Sequence, residues 1–169
     1  SGLDRSEYSM PAFARDVESV LDQENLSRVV LVGHSMGGMV ILHAARILGE
    51  KVVGLVGADT FKYLRDDPRS GKQSEQLNVM ARDYDSTVRQ LVAGMFADDT
   101  PDALRKNIAD GMIATPREVG LGSMKGMTED EPLFDLAKSL KIPKKTINAT
   151  GRGMDETAIR DAGLDLQIM

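Results

Sequence analysis

The run from Val29 to Gly38, VVLVGHSMGG, constrains the fold of this chain more than any other stretch. Val29, Val30, Leu31 and Val32 are apolar and mostly β-branched, the composition of a buried strand. The run breaks at Gly33. Gly33-His34-Ser35-Met36-Gly37 fits the pattern G-x-S-x-G, and Gly38 follows. A helical stretch from Met39 to Leu48 comes directly after. The order is strand, glycine-flanked turn with a serine at its tip, then helix. Such a turn is sharp. It holds its serine in a strained backbone conformation, and side chains at the flanking glycines would collide with strand or helix.

At these residues the chain resembles the α/β-hydrolase family, in which GHSMGG is a common form of the nucleophile elbow. The resemblance implies an α/β core, a parallel sheet flanked by helices. It also implies Ser35 as nucleophile and the backbone N–H of Met36 as one oxyanion-hole donor. The plainer alternative is a glycine-rich strand–helix turn with an incidental serine.

Composition narrows the remaining classes. The 169 residues suit one domain, and 41% apolar with 28% charged residues is ordinary for a globular chain. A net charge of −5 gives no reason to expect nucleic acid or an anionic membrane as partner. No apolar run approaches the ~20 residues of a membrane span. There is no cysteine, which removes disulfides, thiolate metal sites and cysteine nucleophiles. The two histidines are not spaced as metal ligands, and no cofactor is implied. Without a signal-like segment in the sequence given, the cytoplasm is the expected compartment.

Taken in order, residues 1–9 read as loop, with Ser9 as helix cap and Pro11 in the first turn. Phe13, Val17, Val20 and Leu21 share one helical face. Gln23 to Ser27 turns into the strand that ends at the elbow. The elbow helix is rich in small residues, Gly37, Gly38, Ala44 and Ala45, and stops at Gly49-Glu50-Lys51. Val52 to Ala58 is a second buried strand, and the strand–helix–strand order implies a parallel crossover. Asp59 stands just past its carboxyl end, the edge where ligands bind in open α/β sheets.

Residues 61–140 hold no convincing strand and read as helices. Leu77, Met80, Tyr84, Val88, Leu91 and Met95 form one long stripe. Leu104, Ile108 and Met112 form another. Further helices start at Thr115-Pro116 and at Glu131-Pro132, the latter with Leu133, Leu136 and Leu140 in phase. An insertion of this length after the second strand resembles a hydrolase cap, so the expected division is core 1–60, cap 61–140 and core again 141–169. Lys144 to Ala149 reads as the next strand, Thr150 to Gly153 as loop, Met154 to Ala162 as helix and Asp165 to Met169 as a last strand.

In the family the triad runs Ser, then Asp or Glu, then His. After Ser35 only His43 remains, about six residues along the helix and roughly 9 Å from the elbow at 1.5 Å per residue. It reads as packed or solvated, and His34 should project away from the serine hydroxyl. Asp59 is the favoured acid. Asp155 is the alternative, although it could simply cap a short helix with Glu156. The early strands and the loop carrying a second oxyanion donor are expected before Ser1, and the base beyond Met169. The chain thus reads as a fragment, prone to self-association through an exposed sheet edge.

Two functions follow. One is a serine hydrolase acting through an acyl-enzyme at Ser35 on a small, mostly hydrophobic ester, lactone or related carbonyl compound, impaired in this chain. The other is a hydrolase-like binding module without a working triad.

Overall fold

The computed structural model describes residues 5–65, 70–149 and 153–169. The expected loop at Thr150 to Arg152 and the first four residues lie outside them.

Helix α1, Met10–Gln23, starts where Ser9 accepts a hydrogen bond from the Ala12 N–H at 3.2 Å, with Pro11 in the first turn. Its inward face is Met10, Ala12, Ala14 and Leu21. Of the expected stripe, Leu21 is buried and Val17 packs against the core, whereas Val20 is 54% exposed and Phe13 only partly buried. Arg5 lies over the Phe13 ring.

Strand β1, Val29–His34, leads into helix α2, Met36–Leu48. A 3-10 turn at Gly49–Lys51 returns the chain to strand β2, Val52–Ala58. Ala44 and Ala45 are buried, as a helix lying close on a sheet requires.

Four helices then intervene: α3 (Ser70–Arg82), α4 (Tyr84–Ala93), α5 (Asp102–Ile113) and α6 (Arg117–Thr128). The expected stripe through Leu77 to Met95 is broken in two. Asp83 leaves helical geometry and its carboxylate accepts from the Ser86 N–H, capping α4. Rotation at that break buries Met80, Tyr84, Val88 and Val92 and leaves Leu91 and Met95 outside. On α5 it is Ala109 that is buried, while Leu104 and Ile108 face outward.

Helix α7, Leu133–Ser139, brings Leu136 and Ala137 back to the main core. Strand β3 (Lys144–Asn148), helix α8 (Glu156–Asp161) and strand β4 (Asp165–Ile168) complete the chain.

The sheet is parallel throughout, in the order β1-β2-β3-β4. Register decides which side chains share a face. Leu31 pairs with Leu55, and Gly57 with Thr146, which pairs with Leu166; this face carries the core with Ala14, Leu42 and Ile159. The opposite face carries Val30, Val32 and Val56. Val30 is 54% and Val32 69% exposed, so β1 is buried on one side only, unlike the fully covered strand its composition suggests. Helix α2 packs on β1, and its buried Ile41, Leu42, Ala44 and Ala45 share one core with Leu31.

Candidate active site

Ser35 sits alone between the last residue of β1 and the first of α2. Its backbone is at φ 51°, ψ −121°, a region L-residues avoid, and its hydroxyl makes no capping bond to the helix. The geometry is held from three directions. The Ser35 N–H donates to the Ala58 carbonyl at 3.2 Å, continuing the β1–β2 ladder beyond the strand. The Ser35 carbonyl accepts from the Gly38 N–H at 3.0 Å and from the Thr60 hydroxyl at 2.8 Å. Met36 opens α2, so its N–H has no acceptor within the helix and lies at the positive end of the helix dipole.

The glycines do different jobs. A Cβ on Gly33 would lie 2.3 Å from the Gly37 carbonyl oxygen, and one on Gly38 would lie 2.2 Å from Thr60 Oγ1. A Cβ on Gly37 would meet nothing within 4 Å. The expected collision therefore holds at Gly33 and Gly38 and is overturned at Gly37, where the pattern's last glycine faces open space.

Thr60 belongs to a buried polar set that the sequence did not reveal. Its N–H donates to Asn148 Oδ1 at 2.9 Å and its carbonyl accepts from the Thr146 hydroxyl at 3.2 Å. Thr60, Thr146 and Asn148 are all buried. The set ties the ends of β1, β2 and β3 together at their carboxyl edge. The one hint in sequence was an Asn inside an otherwise strand-like run.

Asp59 follows β2 with φ 46°, and its N–H donates to the Ile147 carbonyl at 2.8 Å. Its carboxylate is 2.7 Å from Lys62 Nζ. Asp155 caps α8, its Oδ1 accepting from the Ala158 N–H at 2.8 Å. Of the two acid candidates, Asp59 shares a cavity with Ser35 and Met36. That cavity, about 390 Å³, lies between the turn at Ser35, the segment 59–65 and the segment 127–133.

The lining mixes apolar and charged side chains. Met39, Met127 and Leu133 share it with Asp59, Lys62, Asp130 and Glu131. Asp59 pairs with Lys62 and Glu131 with Arg46 at 2.7 Å, while Asp130 is hydrogen-bonded by His43 Nε2 at 3.0 Å.

Neither histidine stands beside the serine hydroxyl. His34 alternates with Val32 on the open face of β1 and is exposed. His43 is fully buried and held by Asp130 and Arg46. Among the described residues, no three His, Asp or Glu side chains gather as a metal ion would need. No helix among them is long and apolar enough to cross a membrane.

A parallel sheet with a strained serine in the turn between the carboxyl end of one strand and the following helix is the arrangement of an α/β-hydrolase fold. The comparisons agree. The model of the alpha/beta hydrolase fold family matches residues 1–111, and the chain belongs to that family. Among solved structures, an esterase from Exiguobacterium antarcticum aligns over 96% of this chain and 66% of its own, with TM-score 0.84 and 19% identity. A bromoperoxidase from Bacillus anthracis aligns over 100% of this chain and 68% of its own, with TM-score 0.87 and 16% identity. An enol-lactonase from Burkholderia xenovorans aligns over 96% and 65%, with TM-score 0.76 and 18% identity. The chain thus spans about two thirds of the length of these structures, and identities this low show the shared fold alone. No curated protein matches the chain in sequence.

Proposed function

We propose that this chain carries the nucleophile and part of the pocket of a serine hydrolase acting on small esters, lactones or related carbonyl compounds. The observation that carries the reading is Ser35 itself. Its hydroxyl is uncommitted to the helix it precedes, its backbone is strained, and it borders a cavity.

In this mechanism Ser35 Oγ attacks the substrate carbonyl carbon and passes its proton to a histidine supplied from outside these residues. The carbonyl oxygen becomes an oxyanion, which accepts a hydrogen bond from the Met36 N–H at the head of α2. Collapse expels the alcohol, which takes that proton. Water, deprotonated by the same histidine, then attacks the acyl carbon; the bond to Ser35 Oγ breaks, the acid leaves, and the histidine returns the proton to Ser35 Oγ. Asp59 orients the histidine; the capping bond of Asp155 is the reason to place it second. Helices α3 to α6 serve as the cap, within the division 1–60, 61–140 and 141–169. The mixed lining favours a substrate with a polar arm beside its acyl group over a purely aliphatic one.

The second reading is a binding module without turnover. The burial of His43 against Asp130 favours it for these 169 residues taken alone. Hydrolysis of p-nitrophenyl butyrate separates the readings. The isolated chain should show no Ser35-dependent turnover. The complete gene product should turn over, and Ser35→Ala should lower kcat by about 10⁴- to 10⁶-fold. Asp59→Asn should cost far more than Asp155→Asn; the reverse ranking reassigns the acid. Full activity in Ser35→Ala removes the enzymatic role of the serine.

A further inference from the structure

The buried His43 is unused by the chemistry above, and its neighbours offer its two ring nitrogens different hydrogen-bond roles. Arg46 Nη2 lies 2.9 Å from His43 Nδ1. A guanidinium has only donors to offer, so Nδ1 accepts from it, and Glu131 Oε1, which also faces this nitrogen, stands off at 3.7 Å, beyond hydrogen-bond reach. The ring proton is then on Nε2, which sits 3.0 Å from each oxygen of Asp130 and donates to that carboxylate. The Asp130 side chain is 5% exposed and that of His43 0%, so neither end of this contact can be replaced by water without opening the structure.

The contact joins two distant parts of the chain at the cavity. His43 and Arg46 belong to α2, the helix whose first turn borders Ser35. Asp130 and Glu131 lie in the return from α6 to α7 and line the same cavity as that turn. Arg46 reaches Glu131 at 2.7 Å, so two consecutive wall residues are fastened to one helix. One step further, the Phe134 N–H donates to the Leu64 carbonyl at 3.0 Å and ties this wall to the segment after Asp59.

We propose that His43 is a positioning residue: a neutral imidazole, protonated at Nε2, that bridges Arg46 to Asp130 and sets the wall 130–133 at a fixed distance from Ser35. The bridge stands on its own geometry; only its use, holding a substrate-binding wall, rests on the hydrolase reading.

Glutamine reproduces this bridge, since its amide nitrogen can donate to Asp130 while its oxygen accepts from Arg46. Leucine reproduces neither half. In the 169-residue chain, long-range ¹H–¹⁵N correlation spectra should show Nε2 protonated and Nδ1 bare at neutral pH. A ring protonated at Nδ1 or at both nitrogens overturns the proposal. Hydrogen exchange should be unchanged in His43→Gln. In His43→Leu the amides of 129–134 should exchange faster, by on the order of tenfold or more, with those of β1 to β3 unmoved. Equal acceleration everywhere, or none, overturns it by making the residue merely structural or idle. Should His43→Leu fail to fold, Asp130→Leu tests the same wall while leaving α2 intact, with the same expected result. None of these readouts needs turnover, so loss of the hydrolase reading would leave them standing. In the complete gene product, His43→Leu should raise KM more than it lowers kcat, and His43→Gln should restore it.

Discussion

Around Ser35, buried polar groups and side-chain volume are both committed, whereas the helices between β2 and β3 share a much smaller core. At the turn, one carbonyl has two donors, Thr60 holds three strand ends, and two glycines leave no room for a methyl group. In the insertion, the buried set is Met80, Tyr84, Val88, Val92 and Ala109, while Val79, Leu91, Met95, Leu104 and Ile108 face outward. The difference teaches where strain can be stored. A serine at φ 51° persists only where its surroundings over-determine it, and the strand ends do so. A lightly packed set of helices can instead tolerate substitution and local opening.

The largest test of that contrast is steric. Gly33→Ala and Gly38→Ala should each cost about 3 kcal/mol or more in urea unfolding, because the new Cβ meets backbone or a bonded Thr60. Gly37→Ala, one step away in the same motif, should be neutral or stabilise by up to ~1 kcal/mol through helix propensity. Equal costs at all three would break the account of the turn.

Next in size is core packing. Leu42, fully buried against the sheet, should lose about 2–5 kcal/mol on change to Ala. Leu91→Ala on α4 should cost under ~0.5 kcal/mol, since the side chain is 36% exposed. A large loss at Leu91 would show that the insertion packs against something on that face.

These contrasts mark what the sequence could and could not disclose. β2 matched its expected bounds, and β1 and α2 nearly did, because periodicity and glycine placement are local signals. The single stripe expected from Leu77 to Met95 failed at Asp83, where a cap outweighed the hydrophobic phase. The apolar character of Val30 and Val32 could not say which face was covered. Of the candidate site, the sequence pointed to Ser35, Met36 and Asp59, which border one cavity, and their roles belong to the proposal above. The site was illegible in Thr60 with Asn148, and in His43 with Asp130, whose partners stand 88 and 87 residues apart. No local pattern encodes such pairings.

The open face of β1 gives a smaller and different effect. Val32→Ser should barely change unfolding, since that side chain is 69% exposed. We expect the chain to self-associate through this face and edge, and Val32→Ser to shift sedimentation toward monomer. A monomeric parent chain at high concentration would remove the expectation.

The smallest effect is electrostatic, and it carries opposite signs in the two regions. In the sheet, burial, helped by Lys141, holds the Lys144 ammonium below the ordinary lysine value of 10.5. Its Nζ donates to the Leu140 carbonyl. Folding withdraws a charge from water, so the cost is fully present at neutral pH, where folded and unfolded states are both protonated. Between the lowered folded value and 10.5 the unfolded state binds more protons, and stability should rise with pH across that window. In the insertion, the hydrogen bonds from Lys106 and then Arg89 hold the Asp110 carboxyl below its ordinary 3.8. That stability is present above 3.8 and is lost as pH falls through the lowered value. Lys144→Met should therefore flatten the alkaline limb of the stability curve and leave the acid limb alone. Asp110→Asn should do the reverse, and by less, because that pair is solvent-exposed and screened. An alkaline limb that survives Lys144→Met would assign it to another group and separate it from the burial of β3.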